Sequence, residues 1–349
     1  MTKKTKYLII GQGIVGTWMS YFLSKQGIDC IVINDESIPS ASWVASGVIN
    51  PVTGRRIVQT WMIEDVLPFA IEHYTQFEQY IDATFFKNKP IILLHPSAQM
   101  KESFQYRLDH ENIYLAKEED QSWNQYFKLE FGTGKINEVY WIDLQEMIQQ
   151  WRSHLQLKEQ YINAYFNTNE LSITEKSVLW KDVEAEYIVY CDGIQSQQNK
   201  LFRPLPFAPN KGEAIIANIS SLPQDYIYKS SFSIVPWKKE HFWIGSNYEW
   251  SFKDNMPSAS FKEKVNHFLQ NNLKVPFTIT DHITGIRPAN TERRPFVGTH
   301  PQHPRIAICN GMGTKGCSLA PYFTKQLIDY LELGKPIHPE ASIERFQIK

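Results

Sequence analysis

The sequence predicts an α/β fold in which a parallel-sheet domain is joined to a second, mostly antiparallel β-sheet domain. Three observations predict it. The first is a strand, glycine turn, helix and strand between Lys6 and Asn34. The second is a series of short β-branched and aromatic runs from Asn210 to Trp250, with turns at Pro223, Pro236 and Gly245. The third is a closing α/β segment: a strand at Ile306 to Cys309, a glycine turn, and a helix from about Leu319 to Leu333 stopped by Gly334. With α/β segments at both ends and antiparallel strands between, the chain must cross between two domains more than once.

The first unit opens with Tyr7-Leu8-Ile9-Ile10, which feeds Gly11-Gln12-Gly13-Ile14-Val15-Gly16. Trp18, Met19, Phe22 and Leu23 then fall on one helical stripe, Gly27 closes the helix, and Cys30-Ile31-Val32-Ile33 reads as the next strand. In that context a G-x-G-x-x-G run is a dinucleotide fingerprint, and the domain is Rossmann-like. Gly11 makes the tight turn, Gly13 lets backbone approach a pyrophosphate, and Gly16 lets helix and strand pack closely. The N–H groups at the helix start, through Ile14 and Val15, then face the phosphates. An acid near the end of the second strand normally holds the adenosine ribose. Asn34 stands there; it can accept from a hydroxyl with less charge assistance, and Asp35 takes the place if the strand runs one residue further.

Later elements are plainer. Val139 to Leu155 reads as a short strand and a helix, and Val183 to Tyr190 as a strand turning at Cys191-Asp192-Gly193. Phe261 to Leu273 is an amphipathic helix, whereas residues 85–138 carry no usable motif. The resulting division assigns 1–84, 139–205 and 289–349 to the dinucleotide domain and 85–138 and 206–288 to a substrate domain. The 349 residues carry a net charge of −1, so no basic excess points to nucleic acid. No stretch is long enough for a membrane span, and the N-terminus runs straight into the first strand rather than a signal peptide. Four scattered cysteines without a C-x-x-C read as buried thiols of a cytoplasmic enzyme, not as a metal site or disulfide frame.

Three further blocks carry a resemblance. Ser40-Ala41-Ser42-Trp43-Val44-Ala45-Ser46-Gly47-Val48-Ile49-Asn50-Pro51 follows the second strand. Thr284-Gly285-Ile286-Arg287-Pro288 precedes Arg294-Pro295-Phe296-Val297-Gly298, and Asn310-Gly311-Met312-Gly313-Thr314-Lys315-Gly316-Cys317-Ser318-Leu319-Ala320-Pro321 ends the series. In this order and spacing the chain resembles the D-amino-acid oxidase family of FAD-dependent oxidoreductases, nearest its glycine oxidase and sarcosine oxidase branches. Fainter echoes are Trp141-Ile142-Asp143-Leu144, Cys191-Asp192-Gly193, Lys211-Gly212-Glu213 and Gly245-Ser246-Asn247-Tyr248.

The resemblance implies FAD, held non-covalently, because no cysteine lies at the Arg287 block where covalent relatives carry theirs. It implies that Ser42, Ala45, Ser46 and Gly47 wrap the pyrophosphate and reach the flavin, and it carries Gly193 over as a cofactor contact. It places Gly313, Thr314, Lys315 and Gly316 at the flavin edge, where a helix N-terminus would stabilise the anionic reduced ring. Lys315 either assists the ring or faces solvent. Arg287 matches the arginine that pairs with a substrate carboxylate, a task suited to a planar guanidinium fork. Arg56 stands near a second carboxylate-binding arginine of the sarcosine oxidase branch and reads equally as a surface residue. Tyr248 is a pocket wall or a core aromatic.

The implied reaction is oxidation of the C–N bond of a small amino acid or N-substituted amino acid, with hydride transfer to the flavin and hydrolysis of the resulting imine. Oxygen or another acceptor would reoxidise the flavin. No catalytic residue beyond the flavin is expected. Two rivals share the fold: an oxidase of an aminomethyl-modified tRNA base, whose final glycine block reads alike, and a flavin-binding protein without amine turnover. A third, an NAD-dependent dehydrogenase, leaves the later blocks unexplained.

Overall fold

A computed structural model of the chain describes residues 2–54, 56–110 and 113–347. The first strand, Lys3–Ile10, lies inside an eight-stranded sheet and pairs in parallel with Cys30–Asn34 on one side and Val183–Tyr190 on the other. Tyr161–Asn163 extends the sheet beyond Cys30–Asn34, and His303–Asn310 runs parallel beside Val183–Tyr190. Tyr7 through Ile10 are at most 4 % exposed. A run apolar on both faces is what a central parallel strand requires.

The helix Ile14–Lys25 covers one face of this sheet. Trp18, Met19, Phe22 and Leu23, the stripe seen in the sequence, are all buried. Trp18 and Tyr21 interlock with Phe77 of the helix Ile63–Ile81, and Tyr21 stacks on Phe77 at 4.0 Å between centroids. Trp151, on the helix Leu144–Leu157, donates its indole N–H to Ser20 Oγ at 2.7 Å. Asp143 caps that helix by accepting from the Glu146 N–H, so the aromatic-Ile-Asp-Leu block is a strand end and helix start. The last helix spans Gly316–Leu333, three residues earlier than the sequence suggested, with Pro321 in its second turn and Gly334 left-handed at its end. The glycine turn runs directly into it, so no spacer separates the turn from the helical N–H groups.

A second eight-stranded sheet has the order Thr278–Arg287, Asn210–Asn218, His241–Gly245, Ser233–Lys238, Ile227–Lys229, Ile91–Leu94, Thr133–Ile136, Leu115–Lys117. All its pairings are antiparallel except that of Ile227–Lys229 with Ile91–Leu94. Residues 85–138 thus contribute three of its strands. Alternation sorts the side chains onto two faces. Ile215, Tyr228, Ile234, Phe242 and Ile244 pack with Phe261, Val265, Phe268 and Leu269 of the helix Ala259–Asn272. Ala214, Ile216, Ile227, Val235 and Trp243 face the other way, toward the dinucleotide-type domain. The four cysteines are free and buried. Among the described residues, no helix is long and apolar enough to cross a membrane.

Candidate active site

A cavity of about 1150 Å³ opens between the two sheets. Single small-molecule pockets hold roughly 300–1,000 Å³, so this one has room for a dinucleotide and a further small molecule. It runs from the carboxyl end of the parallel sheet to the inner face of the antiparallel one.

At the first end, glycine geometry is forced by backbone. Gly11 has φ +92°, and a Cβ on it would meet Asp192 Cα and the Cys191 carbonyl oxygen at 2.8 Å. A Cβ on Gly16 would stand 1.9 Å from the Gly11 carbonyl oxygen. Gly16 does not line the cavity; it lets the helix start sit on the turn. Gly13, Ile14 and Val15 do line it. Ser42 Oγ accepts from the Ile14 N–H at 2.9 Å, and among the described residues the Gly13, Val15 and Gly16 N–H groups have no acceptor. Its N-cap residue, Gly13, offers no side chain, so beyond the Ser42 contact the helix start is uncapped, and no acid stands in its first turn. Its positive end is therefore left for an anion.

The second uncapped helix start, at Gly316, opens on the same cavity, again with no acid in its first turn. Gly313, Thr314, Lys315 and Gly316 line it. Burial, together with Arg293 and Arg294, lowers the Lys315 ammonium below the usual lysine range. Ala45, Ser46 and Gly47 complete this wall. Gly47 is left-handed at φ +74°, and a Cβ there would lie 1.9 Å from the Ile142 carbonyl oxygen. Two uncapped helix N-termini facing one cavity suit a pyrophosphate and a ring that becomes anionic on reduction.

Asn34 and Asp35 line the far corner. Asn34 Oδ1 accepts from the Gln12 N–H at 2.8 Å, and its Nδ2 donates to the Tyr161 hydroxyl at 3.3 Å. Asp35 Oδ1 accepts from Ser37 N and Oγ, while its Oδ2 has no partner among the described residues. Arg152 joins Gln12 Oε1 to Glu36, 2.7 Å from each. Gly193 lines the cavity beside Asp192, whose carboxyl is pushed up to about 7 by burial; a hydrogen bond from the Ser196 hydroxyl opposes that rise.

The antiparallel sheet builds the other end. Arg287 donates to Asn210 Oδ1 and Ser246 Oγ, each at 2.6 Å, and to the Asn247 carbonyl oxygen at 3.2 Å. The Tyr248 ring lies 4.7 Å from its guanidinium carbon. All these partners are neutral, and among the described residues no acid forms an ion pair with Arg287. Burial lowers the Arg287 guanidinium, against which Tyr248 acts. A half-buried cation held only by dipoles retains capacity for an anion. Gly212 makes the position possible, since a Cβ there would sit 1.9 Å from Arg287 Nη2. Glu213 braces Asn247 from behind, accepting from its Nδ2 at 3.0 Å while pairing with Lys211 and His282.

The structure therefore gathers Arg287, Tyr248 and the cofactor-type residues around one cavity. Arg56 is exposed and outside the cavity lining; its carbonyl accepts from Arg107 Nε at 3.4 Å. Asn210, Ser246 and Asn247 were not singled out from sequence as partners of Arg287. Their signals were the residue before Lys211-Gly212-Glu213 and the Gly245–Tyr248 block, but only strand pairing joins them to Arg287.

A family model described as DAO, FAD dependent oxidoreductase, matches residues 6–330. Glycine oxidases of Pseudomonas putida and Pseudomonas aeruginosa are each 28% identical to the chain over 137 residues, 38% of it. That match spans 37% of the length of these curated relatives. Among solved structures, a glycine oxidase from Geobacillus kaustophilus superposes with a TM-score of 0.80 at 16% identity, covering 100% of this chain and 99% of that one. An iminodiacetate oxidase from Chelativorans sp. BNC1 gives 0.75 at 17% identity, covering 98% of each chain.

Proposed function

Because the chain belongs to the DAO family of FAD-dependent oxidoreductases, we propose that it oxidises the C–N bond of a small amino acid or N-substituted amino acid, with its substrate carboxylate on Arg287. The observation that carries this reading is a half-buried arginine with neutral partners only, on the wall of a cavity that also holds the glycine-rich helix starts. FAD, when bound, supplies the two-electron acceptor for a hydride from the carbon next to nitrogen, leaving an imine that water hydrolyses to a carbonyl compound and an amine.

The chain's own part is binding, orientation and electrostatics. Gly13 and Val15 offer free backbone N–H groups to the pyrophosphate and Ile14 lies between them with its N–H on Ser42 Oγ, while Ser42, Ala45, Ser46 and Gly47 close over it. Asp35 holds the adenosine ribose in preference to Asn34, because its Oδ2 is free while the acceptor of Asn34 is engaged by Gln12. Gly193 and the segment Gly313 to Gly316 line the remainder. The Lys315 ammonium and the helix start beside it favour negative charge arising on the ring. Arg287 fixes the substrate by its carboxylate and Tyr248 walls the pocket, so the reacting carbon is presented in one orientation. A substrate bound as the neutral amine needs no strong base. FAD is held without a covalent bond.

The test is anaerobic photometry. Purified protein carrying its flavin is mixed with glycine, sarcosine, D-amino acids, and D- and L-proline without oxygen. Bleaching of the visible band by one of them, with the matching carbonyl product, is expected. A flavin that no amino acid reduces contradicts the proposal.

A further inference from the structure

The cavity is lined by a further cation that the reading above does not use. Lys229 lines it, as do its neighbours Ser230, Ser231 and Ser233. The Lys229 ammonium makes no hydrogen bond or ion pair with any described residue, although its backbone is paired in the sheet. Burial alone lowers its ammonium; no neighbouring charge offsets or adds to that effect. Nearby lysines behave otherwise: Lys211 pairs with Glu213 and Glu249, and Lys89 donates to the Gln224 carbonyl.

Strand register fixes where Lys229 stands. Lys229 pairs with Ser233, Ser233 with Gly245, Gly245 with Ala214, and Ala214 with Ile283. This is one cross-strand row, and Arg287 lies four residues beyond Ile283 on the same strand. The period of two puts Lys229 on the face of Ile227 and Arg287 on the face of Ile283, the inner face of the sheet. The row spans four strand intervals, roughly 19 Å, and the offset along the strand adds roughly 13 Å in the perpendicular direction. The two Cα positions are thus roughly 23 Å apart along the sheet, a gap wider than one small amino acid even with both long side chains reaching toward each other. The acids lining the cavity do not neutralise Lys229: Glu213 is committed to Lys211, His282 and Asn247, while Asp35 and Asp192 lie at the other end.

From this geometry we infer that Lys229 is a second anion subsite, and that the substrate is an amino acid whose side chain or N-substituent ends in a carboxylate several atoms from the reacting nitrogen. The inference rests on the oxidase reading: Arg287 takes the α-carboxylate and Lys229 the distal one. Lys229 is a specificity residue. It sets which amino acid is held and takes no part in the chemistry.

The probes are two series of N-substituted glycines of increasing length, one ending in a carboxylate and one in a methyl group. Half-saturation of anaerobic flavin reduction should favour the carboxylate series and pass through an optimum at the longer members. Lys229→Met should abolish that advantage, weakening the best dicarboxylate about tenfold. It should leave the limiting reduction rate, the methyl series and the flavin content unchanged, and Lys229→Arg should retain the preference. Equal loss on both series, no loss on either, or a change confined to reoxidation by oxygen would overturn the subsite. Thioether analogues, with sulfur in place of nitrogen, separate the two claims through the shift they cause in the flavin spectrum. If they bind with a Lys229-dependent preference while no amine bleaches the flavin, the subsite stands and the oxidase reading falls.

Discussion

The two ends of the cavity are built by different means. The end at the parallel sheet, where we propose the cofactor, is backbone: Gly11, Gly16 and Gly47 are places where any side chain meets a carbonyl oxygen or Cα at 2.8 Å or less. The end at the antiparallel sheet, where we propose the substrate, is side chain: Arg287 is held by Asn210, Ser246 and the Asn247 carbonyl, with Gly212 vacating the space it fills. The first end demands the absence of atoms at fixed spacing along one short segment. The second assembles residues from strands far apart in sequence, so its parts can change with the substrate while the cradle stays as it is.

That difference governs how each end should fail. At the cradle the effect should be largest and should fall on the cofactor. Gly16→Val puts a branched side chain against the Gly11 carbonyl; overpacking costs ~1–3 kcal/mol or more, so the flavin retained per protein should drop at least ~5-fold. Full flavin content in this variant would break the distinction. At the wall the effect should spare the cofactor. Gly212→Ala displaces the Arg287 guanidinium and should raise half-saturation about tenfold at unchanged flavin content, the equivalent of ~1.4 kcal/mol. Equal loss of flavin would mean that the two ends do not act separately.

Asp192 sharpens the comparison through pH. With its carboxyl raised to about 7 from an ordinary 3.8, the folded protein keeps a proton over that window that the unfolded chain has lost. Its stabilising contribution is complete below the ordinary value and is lost as pH rises through about 7. Asp192→Asn should flatten the decline of the thermal midpoint across the window by roughly 2–4 °C. Parallel melting curves for both proteins would remove Asp192 from that account. The smallest effect belongs to Arg56, exposed and outside the cavity lining. Arg56→Ala should alter neither flavin content nor half-saturation beyond about 0.5 kcal/mol; a marked loss of substrate affinity would bring it into the site.

The same difference explains what the sequence made legible. The fingerprint, the serine-rich loop and the final glycine turn were readable because each is a local pattern imposed by backbone approach. The antiparallel sheet was visible as a class, but not its order, because register is set by pairing between distant segments. Residues 85–138 carried no signal, yet Ile91–Leu94 pairs in parallel with Ile227–Lys229 and extends the sheet. Lys229 was invisible for that reason: a lysine in a strand reads as a solvent contact until its row is known. The final helix was placed late because Gly311 to Gly316 reads as a turn, whereas helix geometry begins at Gly316 itself.

The most direct measurement is one anaerobic titration of Arg287→Lys, reading flavin content and half-saturating amine concentration together. The account predicts full flavin and a half-saturation raised roughly 10–100-fold, the ~1.5–3 kcal/mol of a charged hydrogen bond lost. An unchanged half-saturation, or a variant that no longer holds flavin, would contradict it.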